Sequence, residues 1–186
     1  MEVPMSPFVI AQAFGIAGMT LNAISYQAKK QRNIILLQLF GGAFFVINMY
    51  MINAYMGALL NILGVIRALV YSNKDKIRNL KLCCGLFIGA FLLSYVAVFT
   101  VFQKEFTPFN IIVELLPLAA MTAMTIAFSL PSAQTVRRFA LFASPCWLIY
   151  NCINLSIGGI LCESFSIISA ITALIRTSAA EKKITA

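Results

Sequence analysis

The chain has no histidine, a single tryptophan and only six acidic side chains among 186 residues. Without imidazole, His-based catalytic triads, imidazole proton relays and most zinc sites are excluded. Charge of either sign is scarce. Asp, Glu, Lys and Arg make up 11% of the residues, against about 25% in a soluble domain. The five cysteines (Cys83, Cys84, Cys146, Cys152 and Cys162) have no metal-ligand spacing, and an odd number does not describe a disulfide framework. They read as small core residues, with a bridge between Cys152 and Cys162 left open.

What is there is apolar. At 61% hydrophobic, the chain has more apolar surface than a water-soluble core of this size can hide. It reads as an all-α, polytopic membrane protein. A span needs about 20 residues to cross about 30 Å of hydrocarbon, and long continuous runs argue against alternating barrel strands. Seven transmembrane helices are predicted, at residues 8–27, 34–53, 55–71, 82–102, 109–130, 136–154 and 157–175. No cation precedes the first run, so it reads as a retained helix and not a cleaved signal peptide.

The net charge of +8 suggests nucleic acid until the cations are placed. Lys29, Lys30 and Arg32 follow the first span. Lys74, Lys76, Arg78 and Lys81 follow the third, Arg137 and Arg138 the fifth, and Arg176, Lys182 and Lys183 the seventh. With Arg67 at the inner end of its span, only Lys104 falls on the other side. The positive-inside rule then puts the N-terminus outside and the C-terminus in the cytoplasm of a bacterial inner membrane. The bilayer is the expected macromolecular partner and nucleic acid is not.

A shift of 102 residues lays the first three helices on the last three. Gln12 meets Glu114, Phe45 meets Trp147, Gly57 meets Gly159 and Asn61 meets Glu163. The predicted layout is two parallel three-helix bundles joined by a linker helix: residues 1–72, then 73–106 with the fourth helix, then 107–186. Parallel repeats of this kind occur in transporters, with the solute site at the repeat interface.

Polar residues concentrate in Pro145–Glu163. An ionisable side chain at bilayer depth is costly and marks a candidate site. Glu163 and Glu114 fall at similar depths and are expected as a carboxylate pair in a cavity, binding a cationic group or taking up a proton. Gln12, Asn48, Asn61, Tyr150 and Asn151 map to the outer half of their helices and are expected to converge on a solute, with Trp147 as a stacking wall. The plainer reading for each amide or acid is hydrogen-bonded glue between helices. Gly57, Gly158 and Gly159 permit close helix approach, and Pro117, Pro131 and Pro145 permit kinks at a hinge. Arg67 and Arg176 read as snorkelling anchors at the cytoplasmic face, or as a gate. No metal site or cofactor is expected.

AQxxG at Ala11–Gly15, NILGVIR at Asn61–Arg67, VELLP at Val113–Pro117 and CWLIYN…SIGGxxxE at Cys146–Glu163 resemble the YgjV-type bacterial inner-membrane proteins over nearly the whole chain. The three-plus-one-plus-three layout also resembles the SWEET and PQ-loop transporters, where an Asn on each third helix and a Trp on each second helix line a sugar pocket. That resemblance implies pocket roles for Asn61 and Trp147. Glu163 and Phe45 occupy the two other places and depart from the pattern, which counts against a neutral sugar and leaves a cationic or proton-coupled solute open. The expected function is transport of a small polar solute by alternating access between the repeats. The alternative is a non-transporting receptor or interaction protein on the same bundle, and the chain is not expected to be an enzyme. A homo-oligomer is compatible with either.

Overall fold

The computed structural model describes residues 6–25, 31–71, 73, 76–130 and 133–185. Pro131 lies outside the described residues, as do the side chains of Arg137 and Arg176. All regular secondary structure among the described residues is helical: α1 (Pro7–Ser25), α2 (Gln31–Met51), α3 (Tyr55–Tyr71), α4 (Leu80–Thr100), α5 (Pro108–Ser129), α6 (Ala133–Ile153) and α7 (Ile157–Thr185). The last helix outruns its predicted end at residue 175. Ala179, Ala180, Glu181, Lys182 and Lys183 are strong helix formers, and nothing in that stretch interrupts the backbone ladder.

Local chemistry sets the helix starts. Pro7 and Pro108 open α1 and α5, where the missing N–H costs nothing. The residue before each supplies the cap: Ser6 Oγ accepts from Val9 N at 3.4 Å, and Thr107 Oγ1 accepts from Asn110 N at 3.2 Å. Asn79 does the same for α4, accepting from Leu82 N at 3.0 Å.

Among the described residues, three helices are long and apolar enough to cross a membrane: α1 over Pro7–Ile24, and α4 and α5 over their full lengths. Leu39–Met51, α3 and Ile157–Thr172 are apolar but shorter. α6 belongs to neither group, because Arg138, Ser144, Asn151 and Pro145 dilute its apolar character. The other six helices line the interior, whereas α4 faces outward along most of its length, with Leu86 and Leu93 among its exposed side chains. Such a surface is unfavourable in water and neutral in lipid.

Six helices form a ring. α1 packs on α2, α2 on α3, α3 on α5, α5 on α6, α6 on α7, and α7 closes back on α1. α4 stands outside this ring, against α3 and α5. Each triplet is therefore an arc, in which the outer two helices meet chiefly through the middle one. Every contact of the ring has a counterpart in the other half.

The two tight turns match bond for bond at a spacing of 102 residues. Ala54 N donates to Met49 O and Asn53 N to Tyr50 O; Ser156 N donates to Asn151 O and Leu155 N to Cys152 O. Both are the paired 6→1 and 5→2 bonds that close a helix through one left-handed residue. That residue is Asn53 (φ 59°) in the first turn and Leu155 (φ 56°) in the second. Burial repeats at the same spacing: Ala11, Gln12, Gly15 and Gly18 are buried, as are Val113, Glu114, Pro117 and Ala120. The end of the ring holding these turns is termed the turn end. The opposite end holds exposed Lys76, Arg78 and Arg138 and is termed the basic end.

Candidate functional site

At the turn end, the first turn of each closing helix carries N–H groups with no partner in its own helix. At bilayer depth water does not supply one. Side chains from the opposite half do. Gln12 on α1 receives Ile157 N on Oε1 at 2.9 Å and donates Nε2 to Leu155 O at 2.8 Å. Asn48 on α2 donates to Ala11 O at 2.7 Å and accepts from Ser156 Oγ at 2.6 Å. Tyr150 on α6 reaches across to accept from Gly57 N at 3.0 Å. Gln12, Asn48 and Tyr150 are thus bonded into a seam between the halves and do not line a pocket, contrary to the expectation from depth alone.

Glycines let the seam close. A Cβ on Gly158 would overlap the backbone of Gly15, and one on Gly57 would sit 2.9 Å from the Tyr150 ring. Gly159 packs against the Asn151 carboxamide, where a Cβ would lie 2.5 Å from its carbon. Pro117 and Pro145 are carried inside α5 and α6, which continue through them.

Glu114 also belongs to this end. It is fully buried and ion-paired with Lys104 from the α4–α5 loop, with Tyr150 nearby. The anticipated Glu114–Glu163 carboxylate pair does not form, because depth along a helix says nothing about which neighbour a side chain faces. Lys104 was the signal: the single cation on the wrong side of the positive-inside pattern is the counter-ion of a buried acid.

Inward of the seam, the ring encloses a cavity of about 600 Å³. All six ring helices contribute to its wall and α4 does not. It starts at Gly159 and Asn151, close to the seam, and runs to Asn22, Tyr71 and Phe128 in the last turns of α1, α3 and α5. It therefore extends to the basic end and is sealed at the turn end, the reverse of the outward-facing pocket anticipated from sequence. Asn61, Trp147, Asn151 and Glu163 all line it, as does Phe45, which stands 102 residues before Trp147.

The lining is chemically polarised. Glu163 opens onto the cavity from α7, with Ser144 of α6 beside it. Asn61 donates to Gly57 O at 2.8 Å within its own helix. Arg67 is a buried wall residue: Nη1 donates to Met121 O at 3.2 Å and Thr125 Oγ1 at 2.9 Å, and the guanidinium lies 5.0 Å from the Phe128 ring centre. It is held by α5 and does not snorkel to the surface. Arg67 Nε, the Tyr71 hydroxyl and Asn151 Oδ1 are buried without hydrogen-bond partners, and all three residues line the cavity. Tyr71 was not anticipated, although its i, i+4 spacing from Arg67 puts the two on one face of α3. Cys152 and Cys162 are both free. Among the described residues, no three His, Cys, Asp or Glu side chains gather as a metal site.

Residues 9–181 match the family model described as a bacterial inner membrane protein, the YgjV family. Neither the curated proteins nor the solved structures give a match.

Proposed function

The chain belongs to the YgjV family of multi-pass bacterial inner membrane proteins, and from that premise we propose that it carries a small polar solute across the membrane. The observation that supports this is the central cavity, walled by both halves of the chain and sealed at one end by contacts that only the two halves together can make. Alternating access would open the seam and close the basic end, with α1–α3 and α5–α7 rocking against each other and α4 acting as the tether. On the positive-inside assignment the basic end is cytoplasmic, and the arrangement described is the inward-facing one. In this reading the protein is a carrier and not an enzyme.

Cys162 provides the test, since it lines the cavity. In a variant retaining only that cysteine, a water-soluble maleimide should label it from the cytoplasmic side of oriented vesicles. Reconstituted protein should also exchange labelled solute across the liposome wall. Labelling from neither side, or folded protein that exchanges no solute from a broad metabolite panel, would reject the carrier reading.

A further inference from the structure

Two opposite charges face one enclosed space without meeting. Arg67 and Glu163 both line the cavity, yet among the described residues the one ion pair is Lys104–Glu114. Arg67 satisfies Nη1 with a carbonyl and a hydroxyl, neither of which carries charge. A buried cation without a counter-ion, and an acid on the same wall without one, are each expensive in a low-dielectric setting. Both are relieved by a ligand that brings a charge to each.

The unpartnered atoms of the cavity wall sort the same way. Toward the basic end the free groups are donors: Arg67 Nε and the Tyr71 hydroxyl, one helical turn apart on α3. The tyrosine hydroxyl has Cys83 beside it and the Cys84 thiol as its one weak side-chain contact, with no further hydrogen-bond partner. Toward the turn end the free groups are acceptors. Asn151 presents an unpaired Oδ1 and packs on Gly159, one turn before Glu163 on α7. The matched turns put Asn61 and Glu163 at corresponding depths, and Arg67 lies six residues further along α3. That offsets the donor and acceptor ends by about 9 Å at the backbone, a distance the two long side chains shorten. Between them the wall is aromatic or apolar at Phe45, Trp147 and Met121.

We infer that the solute is a small zwitterion, its ammonium group held by Glu163 and Asn151 and its carboxylate by Arg67 and Tyr71. A planar guanidinium flanked by a hydroxyl suits a carboxylate, and a carboxylate with an amide oxygen suits an ammonium group. A neutral sugar leaves both charges unmatched, and a simple amine or acid leaves one. This assignment rests on the cavity being the solute site and names the class of solute it takes.

Purified full-length protein, folded by size-exclusion in detergent, is titrated with the common α-amino acids and glycine betaine. The controls are monoamines and monocarboxylates of matching skeleton, and glucose. At least one zwitterion should raise the melting temperature and bind at least tenfold more tightly than its amine and acid counterparts. Glu163→Gln should abolish the preference over the acid, and Arg67→Gln the preference over the amine. If Arg67→Gln does not fold, Tyr71→Phe removes only a hydroxyl weakly held by the Cys84 thiol and should weaken zwitterion binding severalfold with little change in melting temperature. A tightest ligand with one charge or none, no binding of any zwitterion, or equal losses for all three ligand types in both variants overturns the assignment. Solute exchange in liposomes separates the two readings. Zwitterion binding without exchange keeps the site and removes the carrier, whereas exchange of a singly charged or neutral solute does the reverse.

Discussion

Asn48 and Asn151 make the instructive comparison. Both are buried asparagines in the outer part of the middle helix of a triplet, at 0% and 2% exposure. At the turn end Asn48 spends both ends of its carboxamide on the protein, one on α1 and one on the start of α7. In the other half, one residue past the counterpart of Asn48, Asn151 leaves its oxygen unpaired against a cavity. The two acids divide by surroundings: Glu114 is ion-paired with Lys104 away from the cavity, and Glu163 lines the cavity with only the Ser144 hydroxyl beside it. Residue type and depth are common to both members of each pair. What separates a structural polar group from a solute-facing one is whether the fold commits it to an ion pair or a cross-half bond away from the cavity.

That contrast is most severely tested at the seam's closest contact. Gly158→Leu drives a side chain into the Gly15 backbone and should yield no folded monomer by size-exclusion. Gly89→Leu on α4 adds its bulk to open space and should leave the elution profile unchanged. Next in size, Asn48→Ala strands a carbonyl and a hydroxyl and should cost about 2–3 kcal/mol in a denaturation titration. Asn151→Ala, which breaks no protein bond at the free oxygen, should cost less than about 1 kcal/mol. Equal losses would erase the distinction between the two ends.

Glu114→Gln removes one partner of a buried pair. Lys104 keeps about a fifth of its surface exposed and can turn back toward water, so the loss should be about 2 kcal/mol rather than the about 3–5 kcal/mol of a fully enclosed pair. Unchanged thermal stability would show the pair to be idle. The smallest effect has the opposite sign. Leu155 sits at φ 56°, a conformation that asparagine tolerates far better than leucine, and its counterpart in the first turn is Asn53. Its side chain is 60% exposed, so Leu155→Asn should raise stability by about 0.5–1 kcal/mol, read as a higher melting temperature.

Much of this was legible in the sequence. The bounds of α3, the closing turns before Tyr55 and Ile157 and the spacing of 102 residues follow from short-range pattern. Asn61, Trp147, Asn151 and Glu163 were picked out because polar groups in apolar runs are rare, and all four line the cavity. What failed was direction around each helix. Gln12, Asn48 and Tyr150 look no different in sequence from the cavity residues. Their partners, the first N–H groups of helices in the other half, belong to backbone and leave no trace in residue type. Arg67 was read as an anchor because an arginine near a helix end usually reaches for water. Thr125 and the Met121 carbonyl, which hold it inside, are 58 and 54 residues away in the chain.

The matched turns carry a consequence for how the chamber acquires a sense of direction. A wall built from two copies of one pattern presents each feature twice and so favours neither orientation of a guest. Whatever asymmetry a bound molecule feels must come from the positions where the copies disagree. Glu163 stands opposite Asn61 and Trp147 opposite Phe45, while Arg67 has as its counterpart Ser169. The duplicated scaffold supplies the enclosure, and a few divergent side chains supply its compass.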